Sequence, residues 1–291
     1  MCAPSGPIQN PEALERGLGW LEERGFEVCH APHLHAREGF LAGGDDERLA
    51  DLRGLLRDPG VSAIVFARGG YGLSRLISRI DPAELRRARK LLVGYSDATS
   101  LLLYALQRAG LPGIHGPMLE RPDTTDAARD RLLALAAGSE AGREALRGHP
   151  LRPGRARGRL VGGNLTMLTA SLGTPWEVDT RGAILFLEEV GEQPYALDRS
   201  LVQLREAGKL AQAAGVAIGG LVDCESERYP EISAGEAVRD ALSAAVEGPV
   251  VEALPFGHVA DNRALGFGVR ADLDGARGTQ TLLEYVVEGG N

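Results

Sequence analysis

The stretch 91–106, LLVGYSDATSLLLYAL, sets one serine where it could attack a carbonyl. An apolar run ends in Gly94-Tyr95-Ser96-Asp97 and a helix-like pattern starts at once, so Ser96 is predicted on a sharp strand-to-helix turn. The first free N–H groups of that helix lie beside the hydroxyl and could hold the oxyanion formed by attack. Small residues flank the serine, although Ala98 stands where the G-x-S-x-G pattern has its second glycine. The plainer reading is that Ser96 or Asp97 caps the helix.

A serine nucleophile needs a base, usually histidine, oriented by a carboxylate. The chain has six histidines. His258 follows the apolar run VVEALPF and Gly257, a strand-end position from which a base can reach across a cleft. His115, in Ile114-His115-Gly116-Pro117, reads as a packed histidine or a pocket-lining one. His149 lies in a polar stretch and is set aside. His30, His33 and His35 crowd near Cys29, but C-H-x-x-H-x-H is no common zinc spacing, and a polar loop accounts for them better. For the carboxylate, Glu188 and Glu189 end the apolar run AILFL, where two acids are costly unless solvated or given a task. Neighbours on a strand point to opposite faces, so only one of them can meet His258. Together these residues suggest a Ser–Glu–His hydrolase, with no metal and no cofactor.

The elements that must position them alternate. Residues 11–24 read as a helix, 26–29 as a short strand, 45–57 as a helix, 61–67 as a buried strand, 73–80 as a helix and 91–95 as a strand. Such alternation predicts an α/β fold with a mainly parallel sheet, whose chemistry sits at the carboxyl ends of the strands. Ser96 and the turn Arg68-Gly69-Gly70-Tyr71-Gly72 both occupy that position, and Arg68 suits a substrate carboxylate. From Ala137 to Arg159 the chain turns to Gly, Pro and Arg without apolar periodicity. It reads as a linker, with Arg143, Arg147, Arg152, Arg155, Arg157 and Arg159 solvated rather than forming a basic docking patch. Strands at 183–190, 215–223 and 250–256, with a helix at 198–208, then make a second α/β domain. The domain reading is 1–140, a linker 141–159, and 160–291, with the nucleophile on one domain and its partners on the other.

Composition narrows the class. The chain has 291 residues, 44% hydrophobic and 25% charged, and can bury a large core. A net charge of −8 argues against nucleic acid and anionic membrane as partners. No apolar run approaches the roughly 20 residues of a membrane-spanning helix. The start, Met1-Cys-Ala-Pro-Ser-Gly-Pro, lacks the features of a secretory signal. Cys2, Cys29 and Cys224 are odd in number and far apart, as expected of reduced thiols in a cytoplasm.

An ordered set of blocks resembles the LD-carboxypeptidases, serine peptidases that include muramoyltetrapeptide carboxypeptidases and microcin C self-immunity hydrolases. The blocks are APSGP (3–7), FLAGGDDERLADL (40–52), ARGGYGLSRLI (67–77), VGYSDAT (93–99), IHGPM (114–118), GRLVGGNLTMLTASLGTP (158–175), ILFLEEVGEQPYALDRSLVQL (184–204) and GHVADN (257–262). The resemblance implies a Rossmann- or flavodoxin-like N-terminal domain, of the glutamine-amidotransferase kind, and a smaller α/β C-terminal domain, with the active site between them. It maps the nucleophile to Ser96, the base to His258 and the orienting acid to Glu188. It maps the oxyanion hole to the amides of Asp97 and of Gly70 or Gly69. Arg68, Gly69 and Tyr71 become candidate substrate contacts.

The implied reaction removes the terminal D-alanine from murein tetrapeptide during cell-wall recycling, in a cytoplasmic homodimer. Two other readings stand beside it. One is a microcin-type hydrolase of peptidyl- or aminoacyl-nucleotides, for which Trp176, rather than the helical Trp20, could supply a stacking surface. The other is a non-catalytic binding protein using the glycine turns at 68–72 and 162–163. Two departures from the family pattern stand out. APSGP lacks the apolar strand that usually precedes it, which bears on the order of the N-terminal sheet, and Gly266 replaces a common proline.

Overall fold

The chain is described here from a computed structural model covering residues 1–287. The first part of the chain supplies β1 (Ala63–Val65), β2 (Leu91–Gly94) and β3 (Gly113–His115). Then come β4 (Leu146–Arg147), β5 (His149–Arg152), β6 (Arg155–Asn164), β7 (Ile184–Val190), β8 (Gly215–Val222) and β9 (Val250–Glu252). The last part adds β10 (Leu265–Phe267), β11 (Arg270–Asp274) and β12 (Thr279–Leu282). The smaller sheet has the order β1-β2-β3-β10, and the larger has β4-β12-β11-β6-β7-β8-β9-β5. β1, β2 and β3 run parallel, as do β6, β7, β8 and β9. These runs are apolar because helices or the other sheet cover both of their faces.

Helices Pro11–Glu22, Asp45–Arg57 and Leu73–Ile77 fall where periodicity predicts them. The first is capped by Asn10, whose side chain accepts from Ala13 N, with Pro11 opening the first turn. Residues 26–29, expected as a strand, form none, although Cys29 O accepts from the Met1 amino group at 2.5 Å. Beside Phe66 at the end of β1 lies Cys2 instead, in a single parallel bridge, and Ala67 N donates to Cys2 O at 2.9 Å. The rest of that edge borders an apolar groove lined by Val28, Val61, Val65, Leu119 and Leu132.

The segment 141–159, expected as a linker, is mostly sheet after the 3₁₀ turn Glu140–Arg143. β4 and β5 lie in it, and β6 begins at Arg155. Along β6 burial alternates from residue 155 to 160, with Arg155, Arg157 and Arg159 outward and Ala156, Gly158 and Leu160 inward. Arg155 and Arg157 both pair with Asp272 across on β11, at 2.6 and 3.1 Å. Inward positions filled by Ala and Gly give almost no apolar signal, and that hid the strand. From the other end of the chain, β10 joins the smaller sheet antiparallel to β3.

One apolar core runs through both sheets. Phe186 on β7 touches Phe267 on β10 and Phe256 edge-on, at centroid separations of 6.0 and 5.7 Å, and all three rings are buried. Gly162 and Gly163, near the end of β6, leave room for the paired strand β7 and for the Thr99 side chain. A Cβ on Gly162 would stand 1.9 Å from Phe186 O, and one on Gly163 2.5 Å from Thr99 Oγ1. Thr99 opens the helix Thr99–Tyr104 that follows Ser96, so the larger sheet presses directly on the serine turn. Among the described residues no helix is long and apolar enough to cross a membrane.

Candidate active site

Strand β2 ends at Gly94, Tyr95 stays extended, and Ser96 turns sharply with φ of +62° before the short 3₁₀ turn Ser96–Ala98. A non-glycine residue there costs on the order of 1–3 kcal/mol, a strain concentrated at sites where geometry is functional. Crowding explains the small neighbours: a Cβ on Gly94 would meet Phe66 at 2.7 Å and the Ala98 Cβ at 2.8 Å. Ala98 therefore fits in place of a glycine because its opposite number has no side chain. Gly69 lies against the serine, since a Cβ there would stand 2.9 Å from Ser96 Oγ.

The Asp97 side chain turns away into the protein. It accepts from Ser5 Oγ at 2.6 Å and from Leu73 N at 2.9 Å, and burial pushes its carboxyl up. One carboxyl thus ties the N-terminal loop and the Arg68–Gly72 turn to the serine turn. His115, on β3, is fully buried among Tyr95 and Phe186. Burial, followed by the charge of nearby His258, pushes its imidazole down to about 3 and keeps it neutral.

Glu188 and Glu189 face apart. Glu188 is fully buried and its Oε2 lies 2.6 Å from His258 Nδ1. Glu189 accepts from Asn164 Nδ2 at 2.6 Å and from the amides of Thr166 and Val190 at 2.8 Å each, locking the start of the helix Leu165–Ser171. Gly257, with φ of +99°, lets the His258 loop sit on Glu188, where any Cβ would be 2.6 Å from the Glu188 Cβ. Asn262 closes that loop by accepting from Gly257 N at 2.9 Å. The imidazole of His258 also rests on the Tyr95 ring at 4.7 Å. Two contacts therefore fix the plane of His258.

Ser96 and His258 line one cavity of about 300 Å³, together with Arg68, Gly69, Gly70, Tyr95, Glu120 and Arg121. No hydrogen bond joins Ser96 to His258 in this structure. Glu120, which sequence reasoning missed, accepts from the amides of Gln9 and Asn10 at 2.5 Å each. Its other oxygen stands 3.5 Å from Arg68 Nε. Arg68 donates from Nη1 to Pro7 O at 3.0 Å, so its guanidinium is held in place. Arg121, also missed, is held by both carboxylate oxygens of Asp123. The only signal for these two was that they stand two and three residues after the IHGPM block. Tyr71 lines an adjoining cavity rather than this one. Trp176 packs edge-on against Tyr104 at 6.5 Å and Trp20 is buried, so neither ring lines the serine cavity.

The glycine turns divide in the same way. Gly69 and Gly70 open onto the cavity, whereas Gly162 and Gly163 are closed over by Phe186 and Thr99. Among the described residues no three His, Cys, Asp or Glu side chains converge as a metal would require, and His33 is bonded to Asp51 at 2.8 Å.

The profile of the LD-carboxypeptidase N-terminal domain matches residues 1–116, and that of the LD-carboxypeptidase C-terminal domain matches residues 157–273. The chain is 38% identical to a probable murein peptide carboxypeptidase of Bacillus subtilis (strain 168), over 99% of this chain and 92% of the relative. Among solved structures, muramoyltetrapeptide carboxypeptidase from Oxalobacter formigenes superposes with a TM-score of 0.85 at 31% identity, covering 97% of each chain. The microcin C7 self-immunity protein MccF superposes with a TM-score of 0.87 at 19% identity, over 98% of this chain and 96% of its own, a likeness of fold.

Proposed function

As a member of the LD-carboxypeptidase family this protein is a serine-type carboxypeptidase, and we propose that it frees the terminal D-alanine of murein tetrapeptide using Ser96, His258 and Glu188. The observation that carries the reading is the 2.6 Å contact between Glu188 and His258 Nδ1, with His258 and Ser96 on one cavity wall. Glu188 accepts from the Nδ1–H, which leaves Nε2 as the acceptor. His258 takes the Ser96 proton as Oγ attacks the carbonyl of the residue before D-alanine. The amides of Asp97 and Gly70 hold the oxyanion. His258 then protonates the leaving amine, D-alanine departs, and a water activated by His258 hydrolyses the acyl-enzyme to free Ser96. The Ser96–His258 hydrogen bond forms when substrate closes the site, as in many unliganded hydrolases.

Substrate class follows from relatives named for murein peptides and from the cations of the cavity. Arg68 and Arg121 suit a peptide carrying several carboxylates. A nucleotide conjugate is disfavoured because the ring expected to stack on its base, Trp176, lies against Tyr104. A purely binding role is disfavoured by the closed Gly162-Gly163 turn. Cytoplasmic location is supported by three free cysteines, and assembly as a homodimer rests on the resemblance alone.

The test is to incubate the pure protein with L-Ala-γ-D-Glu-meso-diaminopimelate-D-Ala and measure free D-alanine, against an aminoacyl sulfamoyl adenosine. The tetrapeptide is expected to win in kcat/KM by about tenfold or more, equivalent to about 1.4 kcal/mol. A preference of that size for the nucleotide would reject the assignment.

A further inference from the structure

Beyond Arg68 lies a second cavity of about 440 Å³, which shares Gln9, Arg68 and Gly70 with the serine cavity. Two aromatic rings stand at its rim. Phe40 is 67% exposed and Tyr71 45% exposed, with centroids 5.8 Å apart and planes inclined at 56°. Phe40 is held out on purpose-built backbone. Glu38 and Leu41 exchange both of their hydrogen bonds, at 2.9 and 3.0 Å, around a two-residue turn whose first residue is Gly39 at φ of +60°. Scattered exposed apolar residues need no explanation, but a fixed aromatic pair lining a concave surface marks a binding site. Polar groups share the wall. Arg37 is anchored to Ile8 O through Nη2 at 2.9 Å and makes no ion pair among the described residues, and Gln9 lies beside it.

We propose that this second cavity is a subsite for the glycan end of the substrate, with a sugar ring seated on Phe40 and Tyr71 and its polar substituents met by Arg37 and Gln9. The inference rests on the reading of the substrate as a murein peptide. A pyranose has one face of C–H bonds and a rim of oxygens, so it needs an apolar ring below and donors at the side. Two inclined rings give such a seat, whereas a flat base needs a parallel one. In a muramoyl tetrapeptide three residues separate the scissile bond from the sugar's lactyl arm, roughly 10 Å of extended chain. A subsite that adjoins the serine cavity is the kind of neighbour such a span calls for. Arg68, at the junction, meets a carboxylate of the peptide stem on the way.

The experiment compares kcat/KM for muramoyl tetrapeptide and for the free tetrapeptide in wild type, Phe40→Ala and Phe40→Tyr. Wild type should favour the glycan-bearing substrate by about tenfold, mainly through KM. Phe40→Ala should bring that ratio close to one, and Phe40→Tyr should restore it. Truncating a side chain on an exposed turn is compatible with folding, and a thermal melt checks this. A wild-type ratio near one, with brisk cleavage of both substrates, overturns the subsite and leaves the proposed function standing. A ratio unchanged in Phe40→Ala overturns it as well, as does a Phe40-dependent preference for an aminoacyl sulfamoyl adenosine. Failure of wild type to cleave either murein substrate removes both readings.

Discussion

Three side chains and one strained turn make the chemistry testable residue by residue. Ser96→Ala should lower kcat/KM for D-alanine release by roughly 10⁴ to 10⁶ while the fold persists, because Ser96 lies on the cavity wall and loses a single atom. Activity within about tenfold of wild type would rule Ser96 out. The acids offer a sharper contrast. Glu188→Gln should remove most of kcat with little change in KM, since its Oε2 faces only the His258 imidazole. Glu189→Gln should keep kcat and lose stability on the order of 1–2 kcal/mol, because its carboxylate holds Asn164 and the amides of Thr166 and Val190. The reverse pattern would show the assignment to be wrong by one residue. Strand alternation alone was enough to send the two acids to opposite faces, though not to say which met the histidine. Glu120 and Phe40 were beyond reach of such reasoning. Glu120 gains its meaning from Gln9 and Asn10, more than a hundred residues away, and Phe40 from its neighbour Tyr71.

Among the elements, three loops converge on the Asp97 carboxyl: the N-terminal loop through Ser5, the turn before Leu73, and the serine turn itself. Asp97→Ala should cost on the order of 1–3 kcal/mol and most of the activity, by leaving Leu73 N and Ser5 without a partner. Asp97→Asn keeps an acceptor oxygen, so it should retain far more of both. Equal losses in chemical denaturation and turnover for the two variants would refute the brace. The helices and the parallel strands around this brace were legible because they lie in apolar or periodic runs. The strands at 146–164 were not. Their outward arginines and inward Ala156 and Gly158 carry the composition of a loop, and the inward glycine is there because any Cβ on it would stand 2.2 Å from Gly182 O.

The molecule as a whole carries a pH signature from its centre. His115 is fully buried, with its imidazole pushed from 6.5 down to about 3 by burial. Between those values the unfolded chain binds a proton that the folded chain refuses, so stability falls as pH drops from about 6.5 towards 3. Over that window the loss is on the order of 1.4 kcal/mol per pH unit. Above the window this histidine contributes no pH dependence. The difference in unfolding free energy between wild type and the non-titrating His115→Phe, measured from pH 7 to 4, should therefore change steadily, wild type losing stability the faster as pH falls. A constant gap between the two curves would exclude the assignment. The strand that pairs with His115 has a further consequence, one of timing. β10 reaches β3 from residues 265–267, so on the ribosome β3 waits with its edge unpaired while about 150 further residues are made. At about 5–20 residues per second that wait lasts roughly 8–30 s. During it the nascent sheet offers an open apolar edge of the kind that aggregates or recruits chaperones.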